Sequence, residues 1–192
     1  MSVLNRYIFA WLAGCFAYLP AFAEPDVQTS KNYYAVSGMT ADDIRASLTR
    51  NSPVTYNGKK HDARTDWQVS WNYYWHETPR DCKLTRVNTS LEVSYTLPRL
   101  TTVAKLEEPL KSRWNNYYEA LLQHEQGHQN FGLESAREIE TTLHALGPRK
   151  DCETLQNDAN SVGHRILQKY AALEKSYDRE TNHGIKNGAI FP

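Results

Sequence analysis

No sign of charge dominates this 192-residue chain: 22 Lys and Arg stand against 22 Asp and Glu, for a formal net charge of zero and a pI near 7.1. A general nucleic-acid binder needs a cationic footprint, so that class is disfavoured. Long apolar runs are equally scarce. Only residues 7–23 form one, and the mean hydropathy of −0.68 excludes a multi-pass membrane protein. Cysteine is confined to Cys15, Cys82 and Cys152, and no internal repeat or low-complexity segment is visible. What is present is a composition 40% hydrophobic and 11% aromatic, which argues against disorder, and a length that suits one domain with a real core.

The apolar run has the build of a targeting segment. Tyr7 to Ala23 follow Arg6, carry no charge, include Pro20 and end in Ala21-Phe22-Ala23 ahead of Glu24-Pro25-Asp26. This is the pattern of a secretory signal peptide cut after Ala23, giving a leader over 1–23 and a single domain over 24–192. A membrane anchor needs about 20 apolar residues without a proline, so no membrane span is expected in the mature form. Leu12-Ala13-Gly14-Cys15 resembles the bacterial lipobox, which makes a lipoprotein lipidated at Cys15 the alternative. The expected compartment is therefore periplasmic or secreted. Loss of the leader removes Cys15 and leaves Cys82 and Cys152, an even pair that an oxidising compartment is expected to bridge.

Strand signals come first along the mature chain. Lys31 to Ser37 is strand-like, and Thr40-Ala41-Asp42-Asp43 opens a helix expected to run to about Arg50, ahead of Pro53 and a turn at Asn57-Gly58. Trp67, Val69, Trp71, Tyr73 and Trp75 alternate with polar residues, as do Leu91, Val93, Tyr95 and Leu97. These two strands should pair antiparallel around Pro79 to Lys83. From about Glu107 to Leu146 the period becomes helical, Gly147-Pro148 stops it, and a second apolar stripe runs from Leu155 to Tyr177. The expected fold is α+β: an N-terminal strand and helix and an antiparallel β-hairpin, then a long helical hairpin.

The first of those long helices carries His124-Glu125-Gln126-Gly127-His128, an H-E-x-x-H motif. Residues four apart share a helical face, so both imidazoles can reach one ion. Two histidines suit Zn²⁺ and leave positions for a third protein ligand and a water. Glu125 then stands beside that water as the general base of a metal-assisted hydrolysis. For the third ligand the chain offers Glu153 and Glu174 on the second helix, Asp178, and His183 at its end; His61, His76, His144 and His164 have no supporting spacing. A metzincin-type continuation is disfavoured, because Phe131 and Glu134 stand where a Gly and a His would be needed.

The chain resembles a bacterial family described as predicted secreted zinc-dependent proteases, the domain of unknown function 922. The resemblance rests on Tyr33-Tyr34-Ala35-Val36-Ser37-Gly38, on Ala63 to Trp71, on His124 to His128, and on Tyr177 to Gly184 followed by Gly188-Ala189. It implies a zincin-like metallopeptidase with a Zn²⁺ cofactor, and its recurring tail favours His183 as the third ligand, with Asp178 as the alternative. Helix arithmetic pulls the other way. The first helix continues about 18 residues past His128, so an antiparallel partner should return near Arg165 to Lys169 and carry His183 on the order of 20 Å beyond the motif, at 1.5 Å per residue.

Two functions compete at this level. One is an exported zinc-dependent metallopeptidase acting on a peptide or protein, cell-wall peptides among the candidates, with Tyr177 as a candidate oxyanion stabiliser. The other is a non-catalytic cell-envelope binding module with a structural or vestigial zinc, using the aromatic strand Trp67 to Trp75 as a platform. Glu125 favours the enzyme, since a structural site has no use for it.

Overall fold

The computed structural model describes residues 24–56 and 58–191. The expected leader with Cys15, and Asn57 of the expected turn, lie outside the described residues; Gly58 is described, with φ +72°. The elements are β1 (Asp26–Val36), α1 (Ala41–Asn51), β2 (Thr55–Tyr56), β3 (Lys59–Lys60), β4 (Arg64–Glu77), β5 (Cys82–Leu100), α2 (Leu110–His144) and α3 (Cys152–Thr181). Among the described residues no helix is long and apolar enough to cross a membrane.

The mixed α+β architecture agrees with the sequence expectation, and two features extend it. β1 begins at Asp26, earlier than the run of tyrosines suggests, and pairs parallel with β5 over its whole length, Asp26 opposite Ser90 to Val36 opposite Leu100. β4 pairs antiparallel with β5 from Arg64–Thr96 to Glu77–Cys82, so β5 is the centre of a three-stranded sheet ordered β1-β5-β4. A period-two pattern makes this possible. On β5, Val87, Thr89, Leu91, Val93, Tyr95 and Leu97 all turn to one buried face. On β4, Thr65 and Val69 are buried on the matching face, with Trp67, Trp71 and Tyr73 partly buried, whereas Trp75 lies past a register shift and is exposed.

Helix α2 covers that face with Leu121, Ala136, Ile139 and Leu143. Helix α1 starts where the sequence places it: the Thr40 hydroxyl accepts from the Asp43 amide at 3.2 Å, with Asp42 and Asp43 in the first turn. Asp151 caps α3 in the same way, accepting from the Thr154 amide at 2.7 Å. Trp67 and Trp71 are committed to α3, through Glu174 (3.1 Å) and Asn160 (3.2 Å), whereas Tyr74 and Trp75 of the same strand are exposed.

The connection between the long helices takes a detour. Residues 145–151 run out to the start of β5, where Cys82 and Arg149 exchange two backbone hydrogen bonds of 2.8 Å. Cys82 and Cys152 are disulfide-bonded, closing a sequence separation of 70 residues. At its other end α3 stops in a left-handed turn, with Asn182 and His183 both at φ 51°. The tail then folds back along α2, and Phe191 is buried against the rings of Trp114 and Tyr117, at 5.7 and 5.4 Å.

Protein alkylated without reduction is expected to carry no label at Cys82 or Cys152 by mass analysis. The Cys82→Ala/Cys152→Ala protein is expected to lose about 4 kcal/mol in a denaturant titration, the loop-closure entropy of a loop this long.

Candidate metal centre

Four residues apart on α2, His124 and His128 are 4% and 7% exposed, and their Nε2 atoms lie 3.2 Å from each other. Asp178, near the end of α3, brings its Oδ1 to 3.3 Å from His124 Nε2 and 3.2 Å from His128 Nε2. One ligand atom from each of these three residues falls within 4.8 Å of the other two. Three donor atoms converging on so small a volume, two of them imidazole nitrogens, make a group that can hold a metal ion. Asp178 Oδ1 is moreover buried without a well-aligned hydrogen bond, as a ligand atom aimed at a cation would be.

The electrostatics agree with that geometry. Burial opposes ionisation of Asp178, yet the imidazoles of His124 and His128 hold its carboxyl far below the usual carboxylate range. Burial disfavours the charged form of His128 as well, but Asp178 and Glu174 outweigh it and raise that ring to about 10. Glu174 does not join the three donors. Its Oε1 accepts from His128 Nδ1 at 3.0 Å and from Trp67 Nε1 at 3.1 Å. That contact leaves His128 Nε2 directed at the cluster, the arrangement by which a carboxylate orients a ligating imidazole.

Glu125 is 4% exposed and lies beside the cluster, at the bottom of the same cleft. The Thr65 hydroxyl on β4 donates to its Oε2 at 2.6 Å. Burial pushes the Glu125 carboxyl up, while Thr65, His128 and His124 act to lower it. The net effect is a base shifted toward neutral pH.

His183 is placed differently from the expectation that it is the third donor. It is absent from the converging set, but its Nδ1 stands 3.4 Å from Asp178 Oδ1, the same oxygen that His124 and His128 approach. It is nevertheless far nearer the motif than helix arithmetic suggests, for two reasons. The detour through Arg149 starts α3 beyond the end of α2, so Lys169 and Tyr170 meet Glu138 and it is Glu174 and Asp178, rather than Arg165 to Lys169, that face the motif. The left-handed turn at 182–184 then brings the tail back. Gly184 lies so close to His124 that a Cβ there would be 2.9 Å from the imidazole Cγ.

Tyr177 supports the motif helix from below. Its ring stacks on His124 at 4.9 Å and 14°, and its hydroxyl meets the His124 carbonyl at 3.5 Å, away from the cleft. This contact accounts for Gly127, since a Cβ at that position would lie 2.7 Å from Tyr177 Cζ. The oxyanion role expected of Tyr177 has no geometric support in this placement. Glu153 begins α3 at the disulfide end, and His164 packs on Trp71 at 5.4 Å; neither belongs to the cluster.

A cleft of about 480 Å³ opens above the cluster. Its loop wall is fixed by Asp62, which receives both Arg45 Nη1 (2.8 Å) and the Tyr117 hydroxyl (2.8 Å), while Tyr34 binds the Asp62 carbonyl at 2.7 Å. At the mouth the His61 ring meets His183 edge-on at 4.8 Å. Burial and the neighbouring His183 lower the pKa of His61. The amino-acid order gives no role to Thr65 or Asp62 and does not connect Trp67 with Glu174, although Ala63 to Trp71 is one of the segments on which the family resemblance rests.

Fold and cluster together define an α+β protein whose helical hairpin converges two histidines and an aspartate into a group able to hold a metal ion. The chain belongs to the bacterial family of proteins of unknown function DUF922, whose model matches residues 31–184. Searches of curated proteins and of solved structures returned no match to it.

Two measurements check this assignment. In zinc titrations against a competing chelator, Asp178→Ala is expected to lose more than about 100-fold in affinity and His183→Ala less than about tenfold; the reverse order would make His183 the ligand. Glu174→Gln is expected to weaken binding by about 10- to 100-fold, because it removes the charge that orients His128.

Proposed function

We propose that the protein is an exported zinc-dependent metallopeptidase, hydrolysing peptide bonds with Glu125 as general base. The observation that carries this reading is the placement of a buried carboxylate, Glu125, beside the converging His124, His128 and Asp178 at the bottom of an open cleft. Two imidazoles and one carboxylate are a donor set that suits Zn²⁺ and leaves coordination positions open for chemistry. A zinc ion held there would supply Lewis-acid chemistry, polarising a scissile carbonyl and acidifying a water.

The chain's own residues do the rest. His124, His128 and Asp178 would hold the ion, and Glu174 would keep His128 in the tautomer with Nε2 free to bind it. Glu125 would take the proton of the attacking water and deliver it to the departing amine, with Thr65 holding its carboxylate in place. Export is supported by the signal-peptide pattern over 1–23 and by the disulfide, which persists in oxidising compartments such as the periplasm or the medium.

Glu125→Gln preserves size but cannot accept a proton. The purified variant is expected to bind zinc with wild-type stoichiometry while turnover of peptides that the wild type cleaves falls by at least about 100-fold. Full metal loading with undiminished turnover would remove Glu125 from the role.

A further inference from the structure

The cleft has walls of two characters. Lys59 and Lys60 of the β2–β3 hairpin and Arg64 at the start of β4 line one of them. Lys59 has no ion-pair partner among the described residues, and Lys60 Nζ donates to the neutral Ser52 carbonyl. Arg64 pairs with Asp66 at 2.8 Å, but both side chains are more than half exposed, where such a pair is weak and screened. Every carboxylate that lines the cleft is already engaged. Asp62 is held by Arg45 and Tyr117, Glu125 by Thr65, Glu174 by His128 and Trp67, and Asp178 by the imidazoles. This leaves Lys59, Lys60 and Arg64 as a basic wall at the mouth, above a cluster whose carboxylates would be offset by the dication it would hold.

The other wall comes from the tail. Ile185 and Ile190 line the cleft there while 42% and 54% exposed, and Tyr56, opposite Lys59 on the hairpin and 56% exposed, adds an apolar ring on the basic side. Large apolar side chains gathered in a concave surface mark a site that a ligand covers. The two walls meet at the His61–His183 contact.

We propose that this cleft selects peptides that present a carboxylate to Lys59, Lys60 and Arg64 and an apolar side chain to Tyr56, Ile185 and Ile190. The proposal rests on the metallopeptidase reading and narrows it to acidic–apolar peptide substrates. Negative charge at the mouth is attracted both by the basic wall and by the ion below it. The apolar residue gains by leaving water against the tail.

Binding, measured without hydrolysis, tests the proposal separately from catalysis. Zinc-loaded Glu125→Gln protein is titrated calorimetrically with acetylated, amidated Ala-Ala-Glu-Leu-Ala-Ala, and with the same peptide carrying Gln for Glu or Ser for Leu. The Glu–Leu peptide is expected to bind about tenfold more tightly than either relative, with a preference over Gln that shrinks as salt is added. In the Lys59→Gln/Arg64→Gln background the Glu-over-Gln ratio is expected to approach one, and in Lys59→Glu/Arg64→Glu to invert. The Gln peptide with a free C-terminus separates the sources of the anion: recovery of affinity there assigns the basic wall to a terminal carboxylate rather than to a side chain. Equal binding of the Glu and Gln amides with no such recovery, a preference that survives charge reversal, or no binding by any peptide overturns the proposal. Selective binding alongside a wild type that hydrolyses none of these peptides would sink the peptidase reading and leave the ligand class standing.

Discussion

The register between α2 and α3 decides where every side chain of the site stands. Two antiparallel helices can slide past one another by a turn with little change in apolar contact, so something outside the helices must set their alignment. Here it is the excursion of residues 145–151 to the start of β5, pinned by the paired Cys82–Arg149 hydrogen bonds and the Cys82–Cys152 disulfide. Because that anchor lies on the sheet and not at the end of α2, α3 begins beyond that end, and Glu174 and Asp178 arrive opposite His128 and His124. A shorter connection would bring a different turn of α3 to the motif and leave two buried imidazoles without acidic partners, a costly outcome.

Four acidic side chains around the cleft have four different fates, set by their surroundings rather than their type. Asp178 is kept ionised by imidazoles and faces the cluster, whereas Glu174 is turned to the outer nitrogen of His128 and shared with Trp67. Glu125 is buried against a hydroxyl, which keeps it oriented while burial makes its charged form less comfortable. Asp62 is tied to Arg45 and Tyr117 and serves to hold the loop that carries His61 and Arg64. Division of labour of this kind distinguishes a built cluster from a merely acidic surface.

Aromatic rings supply the stiffness behind those positions. Tyr177 fills the space that Gly127 leaves on the motif helix, Trp67 and Trp71 tie β4 to α3, and Trp114, Tyr117 and Phe191 seat the returning tail. Aromatic side chains thus fix the helical hairpin against the sheet at several separate points. Such packing holds ligating side chains to the tolerance that a metal demands.

The local elements and the motif were legible in the amino-acid order, because both are short-range properties. Alternation on β4 and β5, the Thr40 cap, the helical stripes and the shared face of His124 and His128 follow from periods of 2 and 3.6 residues. The pairing of Cys82 with Cys152 followed from arithmetic, since only two cysteines remain beyond the leader. Gly127 stands mid-helix in the amino-acid order, but the Tyr177 ring that fills its space is not legible there. What only the tertiary structure decided are the relations that span the chain: the parallel pairing of β1 with β5, Thr65 on Glu125, Glu174 behind His128, and Asp178 rather than His183 among the converging donors. Each depends on how far one element is displaced along another. Periodicity says which face a residue occupies and is silent about that displacement, which here was set by a backbone pairing between Cys82 and Arg149, two residues far apart in the chain.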